Sequence, residues 1–169
     1  MRKIGLLSDT HGTIDPKVFE FFVACDEIWH AGDIGNIMTA DRLSAFKPLK
    51  AVCGNIDGQD VRIVYPKNQR FKCEEVDVWI THIGGYPGKY DRLVRDKLMQ
   101  CPPDLFICGH SHILKFIYDK KLNLLHLNPG AAGNSGFHLV KTMLRFTIDG
   151  KEIKDLEILE IPRERHVSF

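Results

Sequence analysis

The sequence predicts an α/β fold, on three observations. Short apolar runs that read as buried strands alternate with amphipathic helical segments through most of the chain. The early runs each end at a polar residue in a sharp turn, and these turns recur at intervals that fit a strand plus its crossover connection. The last part changes character, to strand-like segments joined by tight turns such as Asp149-Gly150.

Lys3 to Ser8 is the first strand-like run. Asp15 and Pro16 then have the character of an N-cap and a first-turn residue, for a helix that puts Val18, Phe19, Phe22 and Val23 on one face. Glu27 to His30 makes a short strand that stops at Gly32-Asp33. Thr39 to Phe46 follows as a second amphipathic helix, ended ahead of Pro48 because the residue before a proline is pushed out of helical geometry. Leu49 to Cys53 is the next strand and runs into Gly54-Asn55. Arg70 to Cys73 and Val76 to Thr81 form a hairpin around Glu74 and Glu75, and its second strand leads to His82. Beyond a glycine-rich loop from Gly84 to Gly88, Tyr90 to Met99 is helical until Pro102-Pro103. Leu105 to Cys108 leads to Gly109-His110. Ile113 to Tyr118, Leu122 to Leu127, Thr142 to Asp149 and Ile153 to Ile161 make up an antiparallel part. No internal repeat, low-complexity tract or linker divides the chain, so a single domain over residues 1–169 is expected.

At 169 residues, 44% of them hydrophobic, the chain has apolar material for one ordinary core and is short for two. Its 23 Lys and Arg against 22 Asp and Glu leave no overall field to draw it to nucleic acid or an anionic membrane, so any anionic ligand must be held locally. The apolar runs fall well short of the roughly 20 residues that span a bilayer, and Met-Arg-Lys leads straight into a strand without a secretory cleavage pattern. A cytoplasmic protein is the expectation. Five cysteines (Cys25, Cys53, Cys73, Cys101, Cys108) are odd in number, widely spaced and mostly in apolar surroundings. That suits reduced core residues better than a disulfide framework or a zinc knuckle. The oligomeric state is open, a homo-oligomer included.

The polar turns hold seven residues able to bind metal: Asp9 and His11, Asp33, Asn55, His82, and His110 with His112. The intervals from Asp9 to Asp33, Asn55, His82 and His110 in turn are 24, 22, 27 and 28 residues. In a parallel sheet with right-handed crossovers, such intervals bring strand ends to one edge, where α/β folds bind ligands. A glycine ahead of Asp33, Asn55 and His110 lets the backbone turn off the strand and approach an ion closely. Two carboxylates, one amide oxygen and four imidazoles form a set of borderline hardness. It suits manganese, iron, zinc, nickel or cobalt and is too rich in nitrogen for calcium or magnesium alone. Asp33, mid-series, is the carboxylate suited to bridge two ions. Two ions roughly 3.5 to 4 Å apart share a water, lower its pKa toward neutrality and clamp the oxygens of a phosphate, which is what phosphoester hydrolysis needs. Taken singly, an Asp or His after a strand is most simply a cap or turn residue. The ordered recurrence of seven ligand types outweighs that explanation.

The series Asp9-x-His11, Gly32-Asp33, Gly54-Asn55, His82 and Gly109-His110-x-His112 resembles the calcineurin-like metallophosphoesterase superfamily, and the short length resembles its small prokaryotic phosphodiesterase branch. The resemblance implies a four-layer α-β-β-α sandwich, two mixed sheets face to face with helices outside. It implies one metal on Asp9, His11, Asp33 and His112 and a second on Asp33, Asn55, His82 and His110, with manganese or nickel as the activating ion. It also implies that the Asn128-Pro129-Gly130 turn lies near the site. The reaction so implied is in-line attack by a bridging hydroxide on phosphorus, with Asp33 and Asn55 essential and His110 or a water assisting the leaving oxygen. The substrate would be a small phosphodiester or an activated phosphoester, with cyclic nucleotides, short nucleotides and metabolite diesters as candidates.

Two departures from the family pattern stand out. Most members carry a histidine directly after the Gly-Asn pair, thought to protonate the leaving group, and this chain has Ile56 followed by Asp57. Expulsion of a poor leaving group should suffer, alkyl monoesters most, which favours phosphodiesters and low-pKa leaving groups. His82 is followed by Ile83-Gly84-Gly85, where many relatives carry a further histidine after a glycine.

Other residues have two readings. Asp57 orients Asn55 or forms a turn with Gly58, and His30 is an interior histidine with one satisfied nitrogen or a catalytic one. His126, His138 and His166 lack supporting neighbours and read as structural or exposed. Ser111 reads as a small spacer, since a metal-bound hydroxide needs no covalent intermediate. Lys89, Tyr90 and Arg92 contact a substrate phosphate or begin a solvated helix. Trp29 and Trp79 read as core aromatics.

Two further functional classes compete. A eukaryotic retromer subunit resembles this branch and works mainly through protein contacts after losing some ligands; this chain keeps all seven, which disfavours a binding scaffold. A nucleotide-binding Rossmann-like domain is weaker, because Ser8-Asp9-Thr10-His11-Gly12 lacks the phosphate-cradling glycine spacing and puts an anion where the phosphate would sit.

Overall fold

The computed structural model describes residues 1–164; His166 lies outside the described residues. The chain begins with β1 (Arg2–Leu7), α1 (Lys17–Phe22), β2 (Glu27–His30), α2 (Ile37–Phe46) and β3 (Leu49–Ala51). A one-turn helix, α3 (Gln59–Arg62), precedes the hairpin of β4 (Asn68–Cys73) and β5 (Val76–Thr81). A small ribbon, β6 (Gly85–Tyr86) with β7 (Lys89–Tyr90), leads to α4 (Arg92–Gln100). The remaining strands are β8 (Leu105–Ile107), β9 (Leu114–Asp119), β10 (Leu124–Pro129), β11 (Val140–Asp149) and β12 (Glu152–Pro162).

Two five-stranded mixed sheets result, in the orders β12-β11-β1-β2-β3 and β4-β5-β8-β10-β9. In the first, β1, β2 and β3 are parallel and β11 and β12 antiparallel. In the second, β5, β8 and β10 are parallel, flanked by antiparallel β4 and β9. The alternation of side chains along each strand explains how the layers stack. Ile4, Leu6, Trp29, Leu144 and Phe146 of the first sheet meet Val78, Ile80, Leu105, Ile107 and Leu127 of the second in one buried cluster. The opposite face of the first sheet, Leu7, Ile28 and Met143, packs on Val18 and Phe22 of α1 and Leu43 of α2. The opposite face of the second, Trp79, Phe106 and Leu124, packs on Val94 and Leu98 of α4. The architecture is the α-β-β-α sandwich that the resemblance implies.

Several local expectations are adjusted. Asp15 does accept a capping bond, from the Lys17 N–H at 3.0 Å, but the helix ends at Phe22 and leaves Val23 exposed. Helix α2 starts ahead of Thr39 because Asn36 is the cap, its side chain accepting the Thr39 N–H at 2.9 Å. Tyr90 belongs to the ribbon, and Asp91 caps α4 by accepting the Leu93 N–H. The spacing argument expected all seven ligand candidates, on five polar turns, along one sheet edge. The structure instead divides them, with Asp9, His11, Asp33 and Asn55 after strands of the first sheet and His82, His110 and His112 after strands of the second. The β4–β5 hairpin, which starts the new sheet, occupies the interval that a crossover helix would have filled.

Candidate metal centre

All seven predicted residues converge where the ends of the two sheets meet. The loop after β1 is bonded to the loop after β2, through Asp9 N–H to Gly32 O at 3.0 Å and His11 N–H to Asp33 O at 3.0 Å. The second sheet is tied in by Gly109 N–H to His82 O at 3.0 Å and by His110 N–H to the Asp9 carboxylate at 3.1 Å. Each glycine ahead of a ligand candidate lies against another one. A Cβ on Gly54 would sit 2.0 Å from Asp33 Oδ1, and one on Gly109 would sit 2.7 Å from Asp9 Oδ2. Gly32 adopts φ +99°, and a Cβ there would meet the His82 ring at 2.6 Å.

Two triads have donor atoms mutually within 4.8 Å: Asp9, His11 and His112, and Asp33, His82 and His110. Asp33 joins them. Its Oδ2 lies 3.5 Å from His11 Nε2 in the first triad and 3.2 Å from His82 Nε2 in the second. Asp9 Oδ1 lies 3.2 Å from His112 Nε2. Asn55 Oδ1 is 3.1 Å from His110 Nδ1, at the exposed rim of the second triad.

Backbone and hydrogen bonding show what the cluster is organised for. Asp9, His11, Asp33, His110 and His112 all have positive φ, between 47° and 69°, a region that costs of order 1 kcal/mol or more for each residue with a Cβ. His82 donates Nδ1–H to Ala31 O at 2.7 Å, which leaves the lone pair of Nε2 facing Asp33. Asp9 Oδ1, His11 Nε2 and His82 Nε2 are buried without a hydrogen-bond partner. Orphaned donor atoms of this kind, pointed at a shared space, fit a divalent cation as their missing partner.

The charges agree with that fit. Burial works against ionisation of Asp9, but His11, His112 and His82 together with the Ser8 hydroxyl hold its carboxyl well below the usual carboxylate range. Asp33 is likewise lowered against its burial, chiefly by His82 and then by the Ile56 N–H at 3.1 Å. His11 is raised by the neighbouring Asp9 carboxylate, 3.8 Å from its Nε2 and so an electrostatic neighbour, and His82, against burial, by Asp33. Both carboxylates are therefore anionic.

The surrounding residues revise several sequence readings. Asp57 makes no hydrogen bond to Asn55 through its carboxylate. It is buried, and its carboxylate accepts the N–H groups of Ile34 (3.1 Å), Gly35 (2.8 Å) and Gly54 (2.8 Å), which clamps the loop carrying Asp33 to the one carrying Asn55. His30 is fully buried with both nitrogens engaged. Gly32 N–H donates to Nδ1, so Nε2 carries the proton and donates to Thr10 Oγ1 at 2.9 Å; burial pushes its pKa down to about 4, as befits a neutral structural residue. Ser111 Oγ accepts from Asn128 Nδ2 and the Ile113 N–H and serves as a turn spacer. Asn128 also donates to Gly109 O at 2.9 Å, which places the Asn128-Pro129-Gly130 turn under the His110 loop. The Tyr90 hydroxyl donates to Asp119 at 2.6 Å.

Sequence reasoning missed other contributors. His138 donates from Nε2 to Gly133 O at 2.8 Å and sets its ring edge against His112, with centroids 5.2 Å apart. Unlike the seven candidates, it does not follow a strand end, so no such signal marks it in the sequence. Beside Asn55 and His82 opens a cavity of about 390 Å³ whose wall includes Trp79, Leu93, Val94, Arg62, Lys67 and Lys97. Lys89 and Arg92 do not line it.

Comparison with known proteins agrees with this arrangement. Residues 2–151 match the calcineurin-like phosphoesterase superfamily domain. A probable metallophosphoesterase of Methanothermobacter thermautotrophicus is 31% identical over 133 residues, covering 76% of this chain and 76% of its own. Among solved structures, Vps29 of Entamoeba histolytica in complex with zinc superposes with TM-score 0.73 at 17% identity, covering 95% of this chain and 98% of that one. An archaeal phosphodiesterase superposes with TM-score 0.71 at 20% identity, covering 94% and 99%. The sandwich fold, the ordered polar turns and this match over most of its length make the chain a member of the calcineurin-like phosphoesterase superfamily.

Proposed function

We propose that the protein is a metal-dependent phosphodiesterase built on a dinuclear centre. The carrying observation is that Asp33 joins two donor triads that contain three orphaned buried ligand atoms. Asp9, His11, Asp33 and His112 would hold one divalent ion, and Asp33, Asn55, His82 and His110 the other. Two such ions, when bound, supply an activated water and neutralise the phosphate oxygens. The chain's own residues do the rest. His82 is fixed by Ala31 O, Asp33 by the Ile56 N–H, and the His110 loop by Asp9 and Asn128, so the site needs little reorganisation on loading. His110, exposed and bonded to Asn55, is the imidazole best placed to assist a departing oxygen.

Ile56 supports the bias toward diesters. Its N–H is occupied by Asp33 and its side chain, 46% exposed at the rim, can transfer no proton. Manganese or nickel is the favoured ion; iron and cobalt suit the same donors, and the zinc complex of the Entamoeba histolytica Vps29 puts zinc in the same panel. All five cysteines are free thiols, four of them buried, which supports action in a reducing cytoplasm. No helix among the described residues is long and apolar enough to cross a membrane.

The test is reconstitution. Chelated protein should be silent toward bis(p-nitrophenyl) phosphate, and manganese or nickel should restore turnover with close to two ions per chain. Asp33→Ala should lose at least about a thousandfold in kcat with reduced metal content. Full metal occupancy without turnover of any mono- or diester would leave the chain a protein-binding scaffold on the same fold. Retained activity in Asp33→Ala at normal metal content would overturn the bridging role.

A further inference from the structure

The cavity beside Asn55 and His82 is the larger of the two prominent ones, and its chemistry is lopsided. Trp79, Leu93 and Val94 supply an apolar wall, while Arg62, Lys67 and Lys97 supply cations; no carboxylate lines it. Among the described residues these three cations form no ion pair. Arg62 is held in place by carbonyls alone, those of Asp57, Gly54 and Asn55. Lys97 lies over the Trp79 ring, 5.3 Å from its centroid. A second cavity of about 280 Å³ provides the contrast: its lining includes two carboxylates, Asp155 and Glu157, and its Arg145 is paired with Glu157. Unmatched cations around an apolar wall call for a ligand with an apolar body and a negative charge of its own.

We propose that this cavity is the substrate subsite next to the scissile phosphate, and that it receives an aryl or nucleobase group bearing a second phosphate. The inference rests on the phosphodiesterase reading and adds the substrate class. Asn55 and His82 are shared between the cavity wall and the candidate metal centre, so a diester held at the centre extends one substituent along Trp79 and Leu93. At about 390 Å³ the space lies within the range of small-ligand sites, and a nucleotide unit suits it. Lys67 and Lys97 meet the terminal phosphate, and the carbonyl-anchored Arg62 marks the boundary with the metal centre. The overall charge balance of the chain hides this local field.

The experiment compares two probes with the same scissile bond, the dinucleotide pApA and the dinucleoside monophosphate ApA, on metal-loaded protein. The terminal phosphate should raise kcat/KM about tenfold. In the Lys67→Gln/Lys97→Gln protein the ratio of the two should fall to about one. Tryptophan emission gives a readout free of turnover, because Trp79, though itself buried, borders the cavity, while Trp29 lies in the inter-sheet core and does not line it. Titration with pApA should perturb it at lower concentration than ApA, and Trp79→Phe should remove the response. Hydrolysis of bis(p-nitrophenyl) phosphate with equal kcat/KM for pApA and ApA overturns the subsite and leaves the phosphodiesterase reading standing. Absence of all hydrolysis with a Trp79 response that favours pApA does the reverse. A ratio that survives in the double variant, or equal emission titrations, also overturns it.

Discussion

Gly54 has no side chain because Asp33 occupies the place where one would be, with Oδ1 2.0 Å from the position of the missing Cβ. The glycine ahead of Asn55 thus sets the position of a carboxylate on a different loop. A Cβ there would also meet the Asp33 backbone nitrogen at 2.4 Å, so Gly54→Ala should lower stability, displace the Asp33 loop and push its carboxylate away from both triads. A shift of about 1 Å at such a site costs on the order of a hundredfold in turnover. Metal analysis should show the stoichiometry fall in parallel, and full activity in Gly54→Ala would contradict the packing.

Asp57 is the clamp between the Asp33 and Asn55 loops. Replacing it with alanine leaves three N–H groups without their acceptor, two of them from a buried residue, at a cost of about 3 kcal/mol or more. Thermal denaturation should show a drop of several degrees, with activity lost below the new transition because both loops are released. Asp57→Asn keeps one acceptor oxygen and should fall in between.

Stability should decline on the acid side through a residue far from the chemistry. His126 is fully buried, donates Nδ1–H to Phe106 O, and has its pKa pushed down to about 4 by burial. A histidine depressed in this way is neutral in the fold and binds a proton in the unfolded chain near pH 6.5, so the unfolded state binds more protons between those values. Stability is therefore full above about pH 6.5 and falls as pH drops toward 4, by about 2 kcal/mol between pH 7 and 5 from this group alone. Denaturant titrations of wild type and His126→Phe should differ in that slope. Equal slopes would mean that His126 titrates normally.

Leaving-group dependence should expose the replacement by Ile56 of the histidine that most relatives carry directly after the Gly-Asn pair. A simple alkyl phosphate should be turned over far more slowly than an aryl phosphodiester at saturating metal, by about a hundredfold or more, the usual contribution of a general acid. Ile56→His should narrow that gap by speeding the alkyl ester selectively. Comparable rates for the two esters in the unmodified protein would remove the reason for favouring diesters.

Much of this site was legible in the sequence because the residues that matter follow short apolar strands, and a strand end fixes where its next residue points. Asp33, Asn55 and His110 could be read from a glycine and a strand. The division between two sheets could not, because the Asn55–His82 interval has the length of an ordinary crossover while containing a hairpin. One-turn helix α3 is too short for a periodic signal, so nothing in the sequence singles out Arg62. Lys67 and Lys97 are exposed and far apart in the chain, and only the tertiary arrangement makes them neighbours of Trp79. His138 reaches His112 from a loop with no pattern of its own.

The split of the ligands between two sheets gives the apolar layer a second job. Trp29, Ile80, Leu127 and Phe146 carry no chemistry of their own, yet their thickness is the ruler that sets how far the Asp9 and Asp33 loops stand from the His82 and His110 loops. Thinning that layer by trimming a large side chain would let the two halves slide, and grip on the ions would loosen before the protein came apart. In this fold the grease between the sheets calibrates the centre at their rim.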